Sequence, residues 1–467
     1  MEHTLEDIQN QKSSDDEMID IQIEDSLVRE SLMAIDTSNF KEDVMNLLGF
    51  ASILGLMMLV GIVGPPAKLS QTTSQFFSPN FLISFSSENL SSYFRFVSYD
   101  LKFTRKNADK PVTFITCFQY SVQSFIDYRI VHSSSEKLTN VSVNLPVGVY
   151  ESQPLHIYRD RIIDYNRIEF TIRVVNAENV PEEDINTTAI VYCGSQEHTV
   201  FQVFFRIIFA IFVLVSLLGL LRQLKSHPIK LWHLEQKLTV PLLALGVLYN
   251  NPFYYFQARS PTYAFILWET IITSVFTAYF QFFILVLFDS LRYKNRKTDK
   301  CFFAPKVIYV IALFLISVIH GIYDDITSFH VTPSNSYDEV ESALRWTQIG
   351  LLTIYLVWAG VTVFLAGIQI DIIERYKFYM YLATGGTSLF VTLIVHVLFP
   401  AFKLFQNSAI HFVMSFAVEN SFILMMMYFH WPYEVIKDQN YADDAERENA
   451  AIEPGDFFNN GDQPGEK

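Results

Sequence analysis

The chain has 467 residues, of which 50% are hydrophobic, 15% are aromatic and only 18% are charged. In soluble proteins about a quarter of the residues are charged, so this composition excludes a disordered scaffold, a fibrous repeat and an ordinary cytosolic enzyme. The formal net charge of −15 has the wrong sign for contact with a phosphate backbone. Nucleic acid is therefore excluded as a partner.

Eight apolar runs of about 20 residues predict transmembrane helices. They cover residues 45–63, 200–221, 238–256, 263–288, 305–322, 344–367, 378–399 and 409–431. The predicted fold class is a membrane all-α bundle, with one N-terminal span and then a seven-helix bundle over 200–431. Cleavage of 45–63 as a signal peptide is the alternative, because the Pro-Pro-Ala that follows supplies small residues of the kind found at cleavage sites. The long acidic segment before it favours a retained span.

Charge asymmetry orients the predicted spans. Residues 1–44 carry 13 acidic and 3 basic side chains, and residues 432–467 carry 10 and 3. Both segments are poor in apolar residues, which predicts solvated, disordered tails. Alternate loops of the bundle hold eleven Lys and Arg against two in the others. This positive-inside bias predicts cytosolic tails and places residues 64–199 in the lumen or outside the cell.

Residues 64–199 also hold the features expected of an exported domain. N-glycosylation sequons begin at Asn89, Asn140 and Asn186. Cys117 and Cys193 lie in the same segment and are expected to form a disulfide there, with two free thiols as the alternative. Cys301, on the predicted cytosolic side, is expected to stay reduced.

The same segment alternates between apolar and polar residues. The pattern is clearest over 97–104, 112–122 and 168–174, with shorter candidates at 81–85, 128–132, 141–145 and 189–193. Period-two alternation is typical of half-buried antiparallel strands, and six or seven of them predict a lumenal or extracellular β-sandwich. Such a domain binds a partner or helps the bundle to fold. Its histidines lack metal-ligand spacing, and no catalytic constellation appears.

Polar side chains recur at four-residue spacing on several predicted spans, which places them on one helix face. They are costly in hydrocarbon and should face the bundle interior. The candidate cavity residues are Asn250, Asn251, Glu269, Gln281, His320, Asp324, His396, His411, Glu419 and Asn420. We expect a functional role for Glu419, either protonated or paired with His411 or a neighbouring helix. Most Ser and Thr in these stripes are expected to bond the carbonyl one turn back, which serves packing only.

Two further sets of motifs bear on function. Tyr433 and Ile436 fit the Tyr-x-x-apolar signal that clathrin adaptors read in extended form. An interfacial anchor is an equal alternative for Tyr433. The sequence contains no phosphate loop, dinucleotide fingerprint or His-x-x-x-His pair, so we predict no cofactor, no metal and no enzymatic activity.

The order of one span, a β-domain and seven spans resembles the GOLD-domain seven-helix membrane proteins, the group that includes Wntless. The segment Leu248-Tyr249-Asn250-Asn251-Pro252-Phe253 and the basic loop 292–306 are most similar to the transmembrane protein 181 family, which has Leu-Tyr-Asn-Asp-Pro-Phe at the first of these. The resemblance implies a GOLD-like β-sandwich on a helical bundle in the secretory pathway. Asn251 replaces the family's Asp, which removes a charge from this end of the bundle.

These observations favour a non-enzymatic trafficking or cargo-escort protein of Golgi, endosome and plasma membrane. The sandwich would bind a lumenal or secreted, lipidated protein, the bundle would hold a membrane lipid or acyl group, and the tail would contact a clathrin adaptor. One alternative is a cell-surface receptor for a secreted protein or toxin. Another is an ion channel or transporter that uses Glu269, His320, His396 and Glu419.

Overall fold

The computed structural model describes residues 32–38, 40–76, 82–178, 185–292, 300–329, 335–370, 374–399, 402, 404–405 and 407–433. The strands are β1 (Leu32–Met33), β2 (Lys68–Phe76), β3 (Leu82–Glu88), β4 (Val97–Arg105), β5 (Val112–Ile126), β6 (Arg129–Leu145), β7 (Leu155–Asp160), β8 (Arg167–Glu178), β9 (Ile185–Gly194) and β10 (Pro432–Tyr433). The helices are α1 (Ala34–Thr37), α2 (Phe40–Val63), α3 (Gln196–Leu224), α4 (Leu234–Tyr249), α5 (Tyr254–Arg259), α6 (Tyr263–Ser290), α7 (Lys300–Phe329), α8 (Asn335–Gln369), α9 (Arg375–Leu393) and α10 (Ile410–Phe429).

The predicted β-sandwich is confirmed. Within the described residues it has two antiparallel four-stranded sheets, in the orders β2-β9-β4-β7 and β3-β8-β5-β6. Burial alternates along β3 and β5, as the sequence pattern requires, and the inward side chains of both sheets form one core. Aromatic pairs fill its centre, with the Tyr99 ring stacked 4.1 Å from Phe170 and Phe103 edge-on to Phe114.

One end of the sandwich faces the helical bundle. β2 begins just after α2 and β9 ends just before α3, and these two ends pair through Lys68 and Gly194. Asn407, which precedes α10, reinforces this junction by exchanging two hydrogen bonds of 2.7 Å with the backbone of Lys68. We call this end of the bundle the sandwich end and the opposite end the tail end.

Each of the eight predicted spans overlaps a helix, and the predicted span 238–256 also crosses a break between two helices. Among the described residues, six helices are long and apolar enough to cross a membrane, namely α2, α3, α6, α10 and most of α7 and α8. The other two predicted spans lie on α4 and α9. The 16-residue α4 is short because the chain leaves the helix at Asn250, where Asn251 has a φ of 48° and Pro252 supplies no amide hydrogen. The chain is a multi-pass membrane protein.

The predicted N-terminal tail is wrong at its boundary, since α2 begins at Phe40 and part of the preceding segment packs on the tail end of the bundle. Met33 and Ile35 are buried in the bundle core. The Asp36 carboxylate lies 3.0 Å from the Lys377 ammonium, and the buried Asp43 accepts a 2.5 Å hydrogen bond from the Tyr376 hydroxyl. Apolar and paired polar side chains together give this acidic segment enough burial to order.

The structure describes part of the candidate sorting signal and part of the candidate glycosylation sites. The backbone of Tyr433 pairs with Leu32 across β1 and β10, and Ile436 lies outside the described residues. Asn89 is exposed, with a φ of 61°, and Asn186 is half-buried on β9. Asn140 lies on β6, and its side chain is outside what the structure describes. Sorting and glycosylation stay predictions.

The structure contradicts the predicted Cys117–Cys193 disulfide, because both residues are free thiols. Cys117 lies on β5 between Thr116 and Phe118, whose side chains are buried, so its own points away from the core. Cys193 lies on the other sheet and packs against the sandwich core. The two cysteines lie on different sheets, and only the side chain of Cys193 points towards the core. The spacing of cysteines in the sequence predicts neither the sheet nor the direction of the side chain.

Thiol chemistry tests this arrangement. Burial raises the pKa of the Cys193 thiol to about 11, so little reactive thiolate forms at neutral pH. In the native protein we expect iodoacetamide to modify the exposed Cys301 quickly and Cys193 very slowly, as read by peptide mass spectrometry. After denaturation without reductant, all three should be alkylated. A peptide that links Cys117 to Cys193 would contradict the structure.

Candidate functional site in the helical bundle

A helix break near the sandwich end creates the polar centre of the bundle. α4 ends at Asn250, and the chain resumes as the short helix α5 after Phe253. Asn250 and Asn251 are both buried, as is Gln257 on α5. A break inside a bundle frees backbone groups that no water can satisfy, so buried amide side chains are needed to bond them.

The two predicted residues Asn250 and Asn420 form a reciprocal amide pair between α4 and α10. The Asn250 Nδ2 donates to Asn420 Oδ1 at 2.6 Å, and the Asn420 Nδ2 donates to Asn250 Oδ1 at 3.0 Å. Each Nδ2 also donates at 2.8 Å to a helix carbonyl, that of Gly246 or Phe416. The pair satisfies these amide groups in a fully buried place and fixes α4 against α10.

Glu419 lies beside this pair, on α10. Its carboxyl group is hydrogen-bonded by the side chain of Tyr249, whose ring lies between Phe276 at 4.3 Å and Phe416 at 4.9 Å. Its second oxygen, Oε2, is buried without a hydrogen-bond partner in the part of the chain that the structure describes. The predicted pairing with a neighbouring helix is therefore a bond to a tyrosine on α4.

Glu269, on α6, is the hub of a second polar network. Its Oε1 accepts a hydrogen bond of 2.7 Å from the buried Arg206 on α3, and its Oε2 accepts one of the same length from Gln257. Gln257 in turn accepts from Asn251 at 3.0 Å. The carboxylate thus joins α3, α5 and α6 and connects them to the helix break.

The sandwich supplies a second counter-charge to the same carboxylate. Arg95 follows a short 3-10 turn just before β4, and its guanidinium lies 3.5 Å from Glu269 Oε2. Its backbone has a φ of 66°, a conformation that few residues other than glycine adopt. The Tyr254 ring lies between the two arginines, with Arg95 at 5.0 Å and Arg206 at 4.2 Å. Cation–π contact and the shared carboxylate hold both cations at the junction of the two domains.

A cavity of about 380 Å³, with several polar side chains on a partly apolar wall, opens beside Glu269 between α6, α7 and α8, and we call it the polar cavity. Its wall includes the hydroxyl side chains of Thr273, Thr277 and Ser317, and Arg161 of the sandwich also lines it. His320 also lines it and donates from Nδ1 to the Gln348 Oε1 at 2.7 Å, since an amide oxygen only accepts. The cavity therefore carries hydroxyl, imidazole, amide and guanidinium groups.

A second cavity, of about 370 Å³, is almost purely apolar. It is an open groove between α4, α6 and α7, with the exposed Val307 and Ile311 in its wall, and it lies farther from the sandwich along α6 than the first cavity. The lining residues are Leu245, Val275, Ala278, Tyr279, Phe282, Val307, Val310, Ile311 and Phe314. The helices α6 and α7 therefore present a polar wall at the sandwich end and an apolar wall farther into the membrane.

Among the side chains that the structure describes, those of Gln281, Asp324 and His411 line neither of these cavities. The backbone carbonyl of Gln281 accepts a hydrogen bond from Tyr355, and that of His411 accepts one from Ser415. Asp324 is exposed one turn beyond His320, and the side chain of His396 lies outside what the structure describes.

The packing interpretation of the hydroxyl stripe on α9 is confirmed. Thr384, Ser388 and Thr392 each donate to the carbonyl four residues earlier, at 3.0, 3.0 and 2.8 Å. These bonds stay within one helix.

Sequence reasoning missed a buried histidine at the tail end. His430 is fully buried between Thr239 on α4 and Tyr381 on α9, at 2.6 and 2.7 Å. The Thr239 hydroxyl donates to the Glu235 carbonyl, so it accepts from His430 Nδ1, and the Tyr381 hydroxyl donates to Nε2. His430 is therefore a packing residue that ties three helices together. It lies at the last turn of its span without a four-residue polar neighbour, so no pattern pointed to it.

A β-sandwich seated on a bundle of membrane helices, with a buried polar centre at their junction, defines the class of the protein. Residues 195–434, just over half of the chain, match the family model described as Wntless-like, transmembrane domain. The chain belongs to this Wntless-like family, as the resemblance predicted. The human protein transmembrane protein 181 is 25% identical over 129 residues, which are 28% of this chain and 27% of that protein. The match thus spans about a quarter of its length.

Replacement of Glu269 by Gln tests whether its ion pair with Arg206 stabilises the bundle. Glu269→Gln keeps the shape of the side chain but leaves the buried Arg206 without its counter-charge. We expect the free energy of unfolding to fall by about 3–5 kcal/mol, the usual cost of removing one partner of a buried ion pair. Thermal unfolding in detergent measures it. The matched control, Glu341→Gln, breaks a surface pair with Arg345 and should cost about 0–1 kcal/mol. Equal losses would contradict the assignment.

A double-mutant cycle tests the amide pair. Asn250→Ala and Asn420→Ala each leave the other amide unsatisfied, so each should lower the free energy of unfolding by about 1–3 kcal/mol. The double variant should lose clearly less than the sum, because both amides are then gone. Additive losses would show that the two side chains do not interact.

Proposed function

We propose that this Wntless-like protein is a non-enzymatic cargo-escort protein of the secretory pathway. In this proposal the bundle holds the lipid part of its cargo and the sandwich binds the protein part. The observation that carries it is the order of the two sites along α6 and α7, because these helices wall a polar site next to the sandwich and an open apolar groove farther along the same helices. This order matches an amphiphile that enters from the sandwich side.

The polar cavity has the groups to bind a headgroup or an ester. Hydroxyls of Thr273, Thr277 and Ser317 donate and accept hydrogen bonds, and the Arg161 guanidinium attracts an anion or a carbonyl oxygen. The negative charge of Glu269 is compensated by Arg206 and Arg95. The cavity therefore suits a neutral or anionic polar group better than a cation.

The apolar cavity suits an acyl chain. Aliphatic and aromatic side chains line it, and the transfer of each methylene from water to such surroundings is favourable by about 0.8 kcal/mol. A lipidated protein would gain this energy only with its polypeptide close to the membrane, where the sandwich lies.

The cellular setting of the proposal comes from the sequence. The positive-inside bias supports cytosolic tails and a lumenal or extracellular sandwich. The acidic tail with Tyr433 and Ile436 supports a route between Golgi, endosome and plasma membrane by way of clathrin adaptors.

Obstruction of the polar cavity tests the proposal. We would compare the secreted and surface proteomes of knockout cells that express the wild-type chain, Ser317→Phe or Ile319→Phe. Ser317 lines the cavity, whereas Ile319 on the same helix is exposed on another face, so both variants add the same ring to α7. We expect Ser317→Phe to lose a few lipidated proteins from the secreted set, and Ile319→Phe to retain them.

Two results would contradict the proposal. If knockout and wild-type cells secrete the same proteins, the escort function is wrong. If Ser317→Phe restores secretion as well as Ile319→Phe does while both are equally abundant, the cavity does not hold the cargo.

A further inference from the structure

The turn between β5 and β6 has an unusual sequence for its shape. Ile126 pairs with Arg129, which leaves Asp127 and Tyr128 as a two-residue hairpin turn. Their φ angles are 47° and 68°. Hairpin turns with positive φ at both central positions strongly favour Asn-Gly or Asp-Gly. A tyrosine at the second position is a genuine outlier, since its bulk is disfavoured in left-handed backbone.

No contact within the sandwich accounts for this tyrosine, because the Tyr128 side chain is 90% exposed. Its neighbours on the hairpin are apolar and also exposed, with Ile130 at 57% and Val131 at 50%. Glycine would fit the turn better, and a polar residue would suit water better. A strained, exposed aromatic residue in an apolar patch indicates a contact outside the sandwich.

The position of the tip identifies that contact. Ile126 lines a cleft of about 410 Å³ whose opposite wall is the Arg259-Ser260-Pro261 loop, and α6 begins two residues later at Tyr263. The Ser92 hydroxyl bridges the domains here by donating to the Arg259 carbonyl at 3.1 Å. The hairpin therefore lies close to the level at which α6, a candidate membrane span, begins.

Other side chains at this level suit the same environment. Phe253 and Phe256, on either side of the start of α5, are exposed. Aromatic residues are enriched where membrane helices meet the headgroup region, because their rings tolerate a partly apolar, partly hydrated layer. Arg129, next to the turn, has a long apolar stem and a cationic end that suit the headgroup layer.

We propose that the β5–β6 hairpin tip inserts Tyr128, Ile130 and Val131 into the interfacial layer of the membrane leaflet on the sandwich side. The lipid surface is the partner of this patch. Insertion gives the sandwich a second support besides its junction with Glu269, and keeps it from tilting about that junction. The proposal needs a bundle that spans the membrane and is independent of the escort function.

Quenching by spin-labelled lipid tests the insertion in the full chain. In a Cys117→Ser, Cys193→Ala, Cys301→Ser background, an environment-sensitive fluorophore is attached to Tyr128→Cys or to Tyr150→Cys. Tyr150 is the matched control, an exposed tyrosine beyond the far end of β6. Both proteins are placed in phosphatidylcholine nanodiscs with or without lipid carrying a doxyl group at carbon 5. We expect a loss of emission at position 128 and none at 150.

The other outcomes overturn the proposal. Equal emission with and without spin label at position 128 shows that the tip is in water. A blue-shifted but unquenched label at 128 shows that a protein surface covers the tip instead of lipid.

A second variant separates insertion from folding. Tyr128→Gly relieves the positive φ, so the sandwich should melt at the same or a higher temperature. With the fluorophore at Val131→Cys, this variant should show less quenching than the chain with Tyr128. Unchanged quenching at 131 would contradict a role for the tyrosine ring.

Discussion

The carboxylate of Glu269 is the constraint on which the rest of the structure depends. A charge on a membrane helix must be compensated, and here one cation comes from α3 of the bundle and the other from the sandwich. The sandwich therefore cannot move away without exposing a carboxylate and an arginine to an environment that solvates neither well. In this position Arg161 of the sandwich also lines the polar cavity.

The helix break explains why the polar residues cluster where they do. α4 stops inside the bundle, so its last backbone groups need partners that hydrocarbon cannot offer. Asn250 supplies one of them by donating to the Gly246 carbonyl, and Asn251 donates to Gln257, which in turn donates to Glu269. Asn251 fits this reading as an amide donor, since its Nδ2 donates to Gln257 Oε1.

The sequence predicted features that depend on local pattern. Hydropathy located the helices, alternation located the sandwich, and four-residue spacing identified Glu269 as a cavity residue. The Thr273 and Thr277 hydroxyls, expected to serve packing only, also line that cavity. It did not predict the partners of Glu269, because Arg206 and Arg95 have no periodic relation to it and meet it only through tertiary packing. The Cys117–Cys193 pairing failed for the same reason, since sheet membership and facing direction are set by strand order. The positive φ of Tyr128 could not be predicted either, because Asp-Tyr is not a dipeptide typical of hairpin turns.

One distance measurement tests most directly whether Glu269 fixes the sandwich over the cavity. In a cysteine-free background, spin labels at Tyr150→Cys on the sandwich and Phe402→Cys at the sandwich end of the bundle report the distance between the two domains. We expect a single narrow distance distribution in the parent chain and a broad one after Glu269→Gln. If the distribution stays narrow without the carboxylate, the ion pair does not position the sandwich and this account of the site is wrong.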